Sequence, residues 1–242
     1  MGNVERLLSG EKPRAQQPAV DVVIVAYQPN LGSLRWCIDG YLENTPVPWN
    51  LVVVIDGAAQ EDVTPIRDHL AKQAEVHRHM VQHRIWAASQ PRYFSASLFT
   101  GLANTSGAEF VVVGQPHVRV CDPEWFGKVQ RPFQQDKDVG AVLFGDIAPD
   151  ASSIPVRPQF AADVDTSRQL MALNPKIKIE NRDAIRDLHW QRQMVDEAYR
   201  LWCVAWVIPT VRVITLPGRT IHDRPSSQKI GPAKLAPASR DS

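Results

Sequence analysis

Cysteine is scarce in this chain of 242 residues, which has three. Cys37, Cys121 and Cys203 lie far apart, show no zinc-ligand spacing and are odd in number, so they make no disulfide framework. They are expected to be separate buried thiols in a reducing compartment. Long apolar runs are missing as well. Nothing approaches the ~20 residues of a membrane-spanning helix, and the run from Val20 to Ala26 is interrupted by Asp21. The first residues, MGNVERLLSGEKPRAQQP, contain no apolar stretch of signal-peptide length. Charge of one sign is lacking too: 27 Lys and Arg stand against 26 Asp and Glu, a net charge of +1. That balance excludes a global basic field for nucleic acid. The dinucleotide fingerprint GxGxxG and the Walker A loop are both absent, which argues against a Rossmann dehydrogenase or a P-loop enzyme.

What is present is the composition of a folded protein, with 44% hydrophobic and 22% charged residues. Short β-branched runs alternate with stretches of helical period. Val20–Ala26, Leu51–Ile55, Glu109–Val113 and Val139–Phe144 read as buried strands, and Val76–Val81 as a weaker one. Leu31–Asn44, Pro65–Ala74, Tyr93–Ser106 and Ile185–Trp202 read as helices. A further helix starts after Asp122, with Asp122 as N-cap and Pro123 in its first turn. Val204–Ile208 and Val211–Leu216 are strand-like. From Ile147 to Pro175 no period is visible. The alternation predicts an α/β fold, a single open, mostly parallel sheet flanked by helices. Residues 1–18 are expected to be a flexible tail, 19–223 one domain, and 224–242 a Pro-rich flexible tail. Sites in such sheets lie beyond the carboxyl ends of the strands. Three loops qualify: Tyr27–Asn30, Asp56–Ala59 and Gly114–His117.

At these loops the chain resembles the family 2 glycosyltransferases, which have the GT-A fold. Val22–Tyr27 resembles that family's first strand and its Thr/Ala-Tyr-Asn turn. Val52–Gly57 resembles the strand ending in Asp-Asp-Gly-Ser. Ser95–Val113 resembles the helix–strand unit that leads into the metal-binding Asp-x-Asp. Asp196–Arg200 followed by Trp206–Pro209 resembles a later Asp-x-x-x-Arg segment, and Ile221-His222 the terminal Val-His. The pieces are collinear over residues 20–223. The sequence departs from the family at three places. Gln115-Pro116-His117 stands in the position of Asp-x-Asp, Asp56 is the one carboxylate left in its turn, and the usual acidic pair falls near Gln193-Met194.

The resemblance implies a glycosyltransferase that moves a sugar from a nucleoside-diphosphate donor, of UDP type, to a hydroxyl acceptor, with inversion. Donor-side residues would be Tyr27, beside the base or ribose, Asp56, accepting a base N–H, and Gln115. Asp56 could equally stabilise its turn with Gly57. His117 and His222 would be a metal pair, and an imidazole suits Mn or Zn better than Mg. A metal-free version would place Arg84 or Arg92, from a cluster that includes His79 and His83, on the diphosphate. The base would be Asp196 or Glu197; neighbours on a helix point apart, so one of the two faces the pocket, and an exposed charge pair is the other reading. The acceptor, on a glycan, protein, lipid or nucleic acid, stays open. The alternative is a GT-A-like protein that binds without catalysing. A nucleotidyltransferase lacks its Gly-rich triphosphate loop here. A soluble, cytoplasmic protein without a transmembrane segment is expected.

Overall fold

The computed structural model describes residues 4–11, 17–27, 31–58, 60–90, 94–145, 154–156, 169–174, 204–208, 211 and 213–215. The elements run β1 (Val4–Glu11), β2 (Val20–Tyr27), α1 (Leu31–Asn44), β3 (Trp49–Asp56), α2 (Gln60–Val76), β4 (Met80–Ala88), α3 (Phe94–Leu102), β5 (Phe110–Gly114), β6 (Val118–Val120), α4 (Trp125–Gln135), β7 (Val139–Gly145), β8 (Ile154–Val156), β9 (Gln169–Leu173), β10 (Val204–Ile208) and β11 (Val213–Thr215). Nine strands form one sheet in the order β1-β4-β3-β2-β5-β9-β7-β10-β8, and β6 pairs with β11 in a small ribbon. Among the described residues, six of the nine strands point one way, and β1, β9 and β8 run against them. The expected open, mostly parallel sheet is therefore observed.

Strands buried on both faces need apolar residues at consecutive positions. β3 and β7 are buried along their whole length. In β2, Val20, Val22, Ile24 and Ala26 join the core formed with α1, α2 and α4. The opposite face meets α3, where an added Cβ at Gly101 would sit 2.4 Å from Val23 Cγ1 and 3.3 Å from Val54 Cγ2. Glycine there lets the helix backbone close onto the sheet. At the centre of the core, Tyr41 packs edge-on against Trp125 with ring centroids 5.8 Å apart.

Local strength of pattern decided where the expectations held. α1 spans the anticipated residues. α2 begins at Gln60 rather than Pro65; Pro65 falls early enough in the helix to lose one backbone bond. β4 runs over Met80–Ala88, not Val76–Val81; its polar residues hid it. α3 stops at Leu102 instead of reaching Ser106. Asp122 does not cap α4 directly. Its carboxylate accepts the Glu124 N–H at 3.0 Å and Lys128 Nζ at 2.8 Å, while Glu124 occupies the N-cap. β9, which gave no periodic signal, inserts antiparallel between β5 and β7. The expected tail gives way over Val4–Glu11, which pair with β4 as an antiparallel edge strand. Backbone pairing with an open sheet edge asks little of side-chain pattern. The helix expected over 185–202 lies outside the described residues.

Asp21 holds the amino edge of the sheet together. Its carboxylate is fully buried. It accepts Asn50 Nδ2 from β3 at 3.0 Å, the Ser106 N–H at 2.8 Å, the Ser106 hydroxyl at 2.9 Å and the Ala108 N–H at 3.3 Å. These bonds pull the chain off the end of α3 and feed it into β5; Gly107, at φ 84°, completes the turn. Asp21→Ala would orphan two buried donors, the Asn50 amide and the Ala108 N–H, each worth about 1–3 kcal/mol. We expect a loss of about 3 kcal/mol or more, read by urea denaturation, with Asp21→Asn losing less.

Candidate functional site at the carboxyl ends of the strands

The chain moves from β2 to β3 to β4 in one direction along the sheet, then crosses back to β5 on the other side of β2. The reversal makes a topological switch point between β2 and β5, the place where open α/β sheets bind ligands. β5 pairs with β2 only as far as Ile24↔Gly114, whereas β2 continues to Tyr27, about 10 Å further at ~3.3 Å per residue.

Tyr27 and Asp56 are register partners at the ends of β2 and β3, with Ala88 of β4 next in line. The Asp56 carboxylate is buried and accepts the Ser97 hydroxyl of α3 at 2.9 Å. Gly57, at φ 75°, turns the chain so that its own N–H and that of Ala58 donate to the Ala88 carbonyl at 2.8 and 3.3 Å.

Gln115 and His117 are both buried. The Gln115 carbonyl accepts the Val118 N–H at 3.0 Å, closing a turn with Pro116 at its second position, where proline is favoured. The same carbonyl accepts the Cys37 thiol of α1 at 3.1 Å. Gly114 lets the turn descend beside α1, since a Cβ there would lie 3.0 Å from the Tyr41 hydroxyl. Cys37 and Ser97 are thus contacts that the residue types alone did not single out; Cys37 is as buried as expected, but it is bonded to the turn.

The described members of the basic cluster ahead of α3, His79, His83 and Arg84, lie along β4 and the turn before it. His79 precedes β4, and its carbonyl accepts the Trp49 N–H at 2.9 Å. His83 and Arg84 are neighbours on β4, so they face opposite sides of the sheet. Arg84 Nη1 donates to the Asn104 carbonyl at 2.9 Å, just past the end of α3. Asn104 is two residues from Ser106, which meets Asp21 at the start of β2. Arg84 therefore reaches toward the amino edge of the sheet. Arg92, Asp196, Glu197 and His222 lie outside the described residues.

Among the described residues, no group of three or more His, Cys, Asp or Glu side chains comes together to hold a metal ion. At the turn, one imidazole and one neutral amide are too few donors for a divalent cation, which prefers several oxygen or nitrogen ligands and negative charge. No helix among the described residues is long and apolar enough to cross a membrane.

No protein-family model matches the chain, and no curated protein matches it. Solved structures do. The mannosyltransferase PcManGT from Pyrobaculum calidifontis, in complex with GDP-Man and Mn2+, aligns with a TM-score of 0.59 at 17% identity over 90% of this chain and 61% of that one. GalNAc-T7 with UDP, GalNAc and Mn2+ aligns with a TM-score of 0.62 at 12% identity, over 88% and 46%. The 4-diphosphocytidyl-2C-methyl-D-erythritol synthase from Anaerococcus prevotii aligns with a TM-score of 0.52 at 15% identity, over 79% and 89%. At these identities the likeness defines the architecture: the chain has the GT-A fold, shared with nucleotide-sugar glycosyltransferases. It spans roughly half to three-fifths of the two glycosyltransferases, and the fold alone does not select among the chemistries it hosts.

Burial raises the Cys37 thiol far above its ordinary value of 9.0 and lifts the Tyr41 phenol as well. The folded state then keeps protons that the unfolded chain releases. The stability this gives is fully present below about pH 9 and is lost as pH rises toward the folded value, by about 1.4 kcal/mol per pH unit for one group. Cys37→Ser, which cannot ionise, is expected to flatten the decline between pH 9 and 10 in denaturation curves. An equally steep decline in that variant would show that Cys37 is not the source.

Proposed function

We propose that the switch-point crevice binds a nucleoside-diphosphate sugar, of UDP type, and passes the sugar to a hydroxyl acceptor, with inversion as the expected outcome. The observation that carries this reading is the convergence, in a GT-A fold, of the Tyr27–Asp56 register pair and the anchored Gln115–His117 turn on the carboxyl ends of adjacent strands. In this reading Tyr27 lies along the base or ribose, Asp56 accepts a base N–H, and Gln115 and His117 border the diphosphate. His222 is the second member of the proposed metal pair, and Arg84 or Arg92 the proposed cation in a metal-free version. Asp196 or Glu197 is the proposed general base, which must come within hydrogen-bond reach of the acceptor hydroxyl. That acceptor belongs to a glycan, protein, lipid or nucleic acid. A buried, prearranged turn suits the leaving group, because fixed dipoles in a water-poor site stabilise developing charge without reorganising.

A second reading, a GT-A-like protein that binds without catalysing, is favoured by one feature. Gln115 and His117 stand where two carboxylates would be expected, and no metal-ligating group assembles among the described residues.

The test is a thermal-shift panel of UDP, GDP, TDP and CDP, each with Mn, with Mg and with chelator, followed by donor hydrolysis. A nucleotide at 100 times its dissociation constant adds ~2.7 kcal/mol of stability. The expected result is a UDP shift that is lost in Asp56→Asn. A shift that also needs Mn and His117 supports the His117–His222 pair, and one that survives chelator moves the diphosphate charge to the arginines. Binding without hydrolysis or transfer favours the second reading, and no shift with any nucleotide sinks the donor site.

A further inference from the structure

β6, the strand that leaves the Gln115–His117 turn, is clamped to α1 by several distinct contacts. Gly40 sits in the interior of α1, where glycine is disfavoured. A Cβ at that position would lie 2.6 Å from Arg119 Cγ and 2.9 Å from the Val120 carbonyl oxygen. Glycine there is explained by the close passage of β6. Asn44 Nδ2 donates to the Val120 carbonyl at 3.1 Å. The Arg119 guanidinium donates to the Trp36 carbonyl at 2.8 Å and to the Glu43 carboxylate, and it lies 5.6 Å from the centre of the Trp36 ring. One side chain thus grips three features of α1, a task suited to a planar fork and unsuited to a point charge. On its other edge, β6 pairs with β11, with Ile214 opposite Arg119 and Thr215 opposite Val118.

Arg119 therefore stands beside the proposed donor site, two residues after His117. We propose that Arg119 is a positioning residue: by locking β6 onto α1 it sets the turn bearing Gln115 and His117. The proposal rests on the site described above, and its test needs no nucleotide.

The measurement is the long-range proton–nitrogen spectrum of the histidine side chains in the full chain, with the His117 cross-peak assigned by His117→Gln. Arg119→Met is expected to shift, split or erase the His117 cross-peak while those of His77 and His79, at the opposite edge of the sheet, stay in place. Arg119→Lys, which keeps the charge beside Glu43 but not the fork, is expected to restore the wild-type position in part. Glu43→Gln acts from the exposed end of the clamp and is expected to move the peak in the same direction by less; it serves if Arg119→Met does not fold. An unchanged His117 cross-peak in Arg119→Met and Glu43→Gln overturns the proposal, even if both variants melt at lower temperature. Absence of nucleotide binding by the wild type, with the His117 peak still moving, would sink the donor-site reading and leave the clamp standing.

Discussion

One buried carboxylate sets the frame for everything else. Asp21 begins the central strand β2, and its oxygens collect donors from β3 and from the connection between α3 and β5. A charge removed from water is tolerated only when hydrogen bonds replace its hydration. The chain supplies those bonds from the segments that must be aligned for the sheet to form. Satisfying Asp21 thereby registers β2 with β3 on one side and brings β5 alongside on the other. This interaction makes the reversal of strand order, and with it the crevice at the opposite edge, a consequence of polar satisfaction as well as of apolar burial.

The crevice and the core are built from the same helix. α1 covers the sheet with Leu34, Ile38 and Tyr41. Its Cys37 reaches the carbonyl of Gln115 and its Gly40 admits the backbone of β6. The turn at the end of β5 is therefore attached to a packed element and not left as a free loop. A neutral donor in that place fits its surroundings, because burial keeps the thiol protonated and a protonated thiol can donate. On the other face, α3 offers Ser97 to Asp56. Helices on both sides of the sheet thus contribute hydrogen bonds at the strand ends of the candidate site.

Legibility followed the strength of local pattern. Leu31–Asn44 carried apolar residues at helical spacing and an evident stop at Thr45-Pro46, and α1 has those limits. Val-rich β2, β3, β5 and β7 were readable because two-sided burial demands uninterrupted apolar residues. β4 was misplaced because half of it, including Gln82 and Arg84, faces the side where polar residues are accommodated. β1 and β9 carried no usable pattern; one is an edge strand recruited by backbone pairing, and the other is hidden among prolines. Asp56 and the Gln115–His117 turn were legible as strand ends because apolar runs precede them. The bond from Arg84 to the end of α3 was not, since nothing near it in sequence signals that contact. Ser97, Cys37 and Arg119 were missed as site contacts, since a serine, a cysteine or an arginine on its own carries no signal of what it will touch.

By itself the sequence determined the class of fold and the order of its main strands and helices, since these follow from periodicity along a few residues at a time. Tertiary structure alone decided which distant residues meet. That Asp21 would gather Asn50 and Ser106, that Gly40 would make room for Val120, and that Arg84 would bond to the end of α3 depend on how far the chain has travelled between them. Contacts of that kind are fixed by the closure of the whole sheet, where each hydrogen bond competes with water and is won only when its partner has already been delivered.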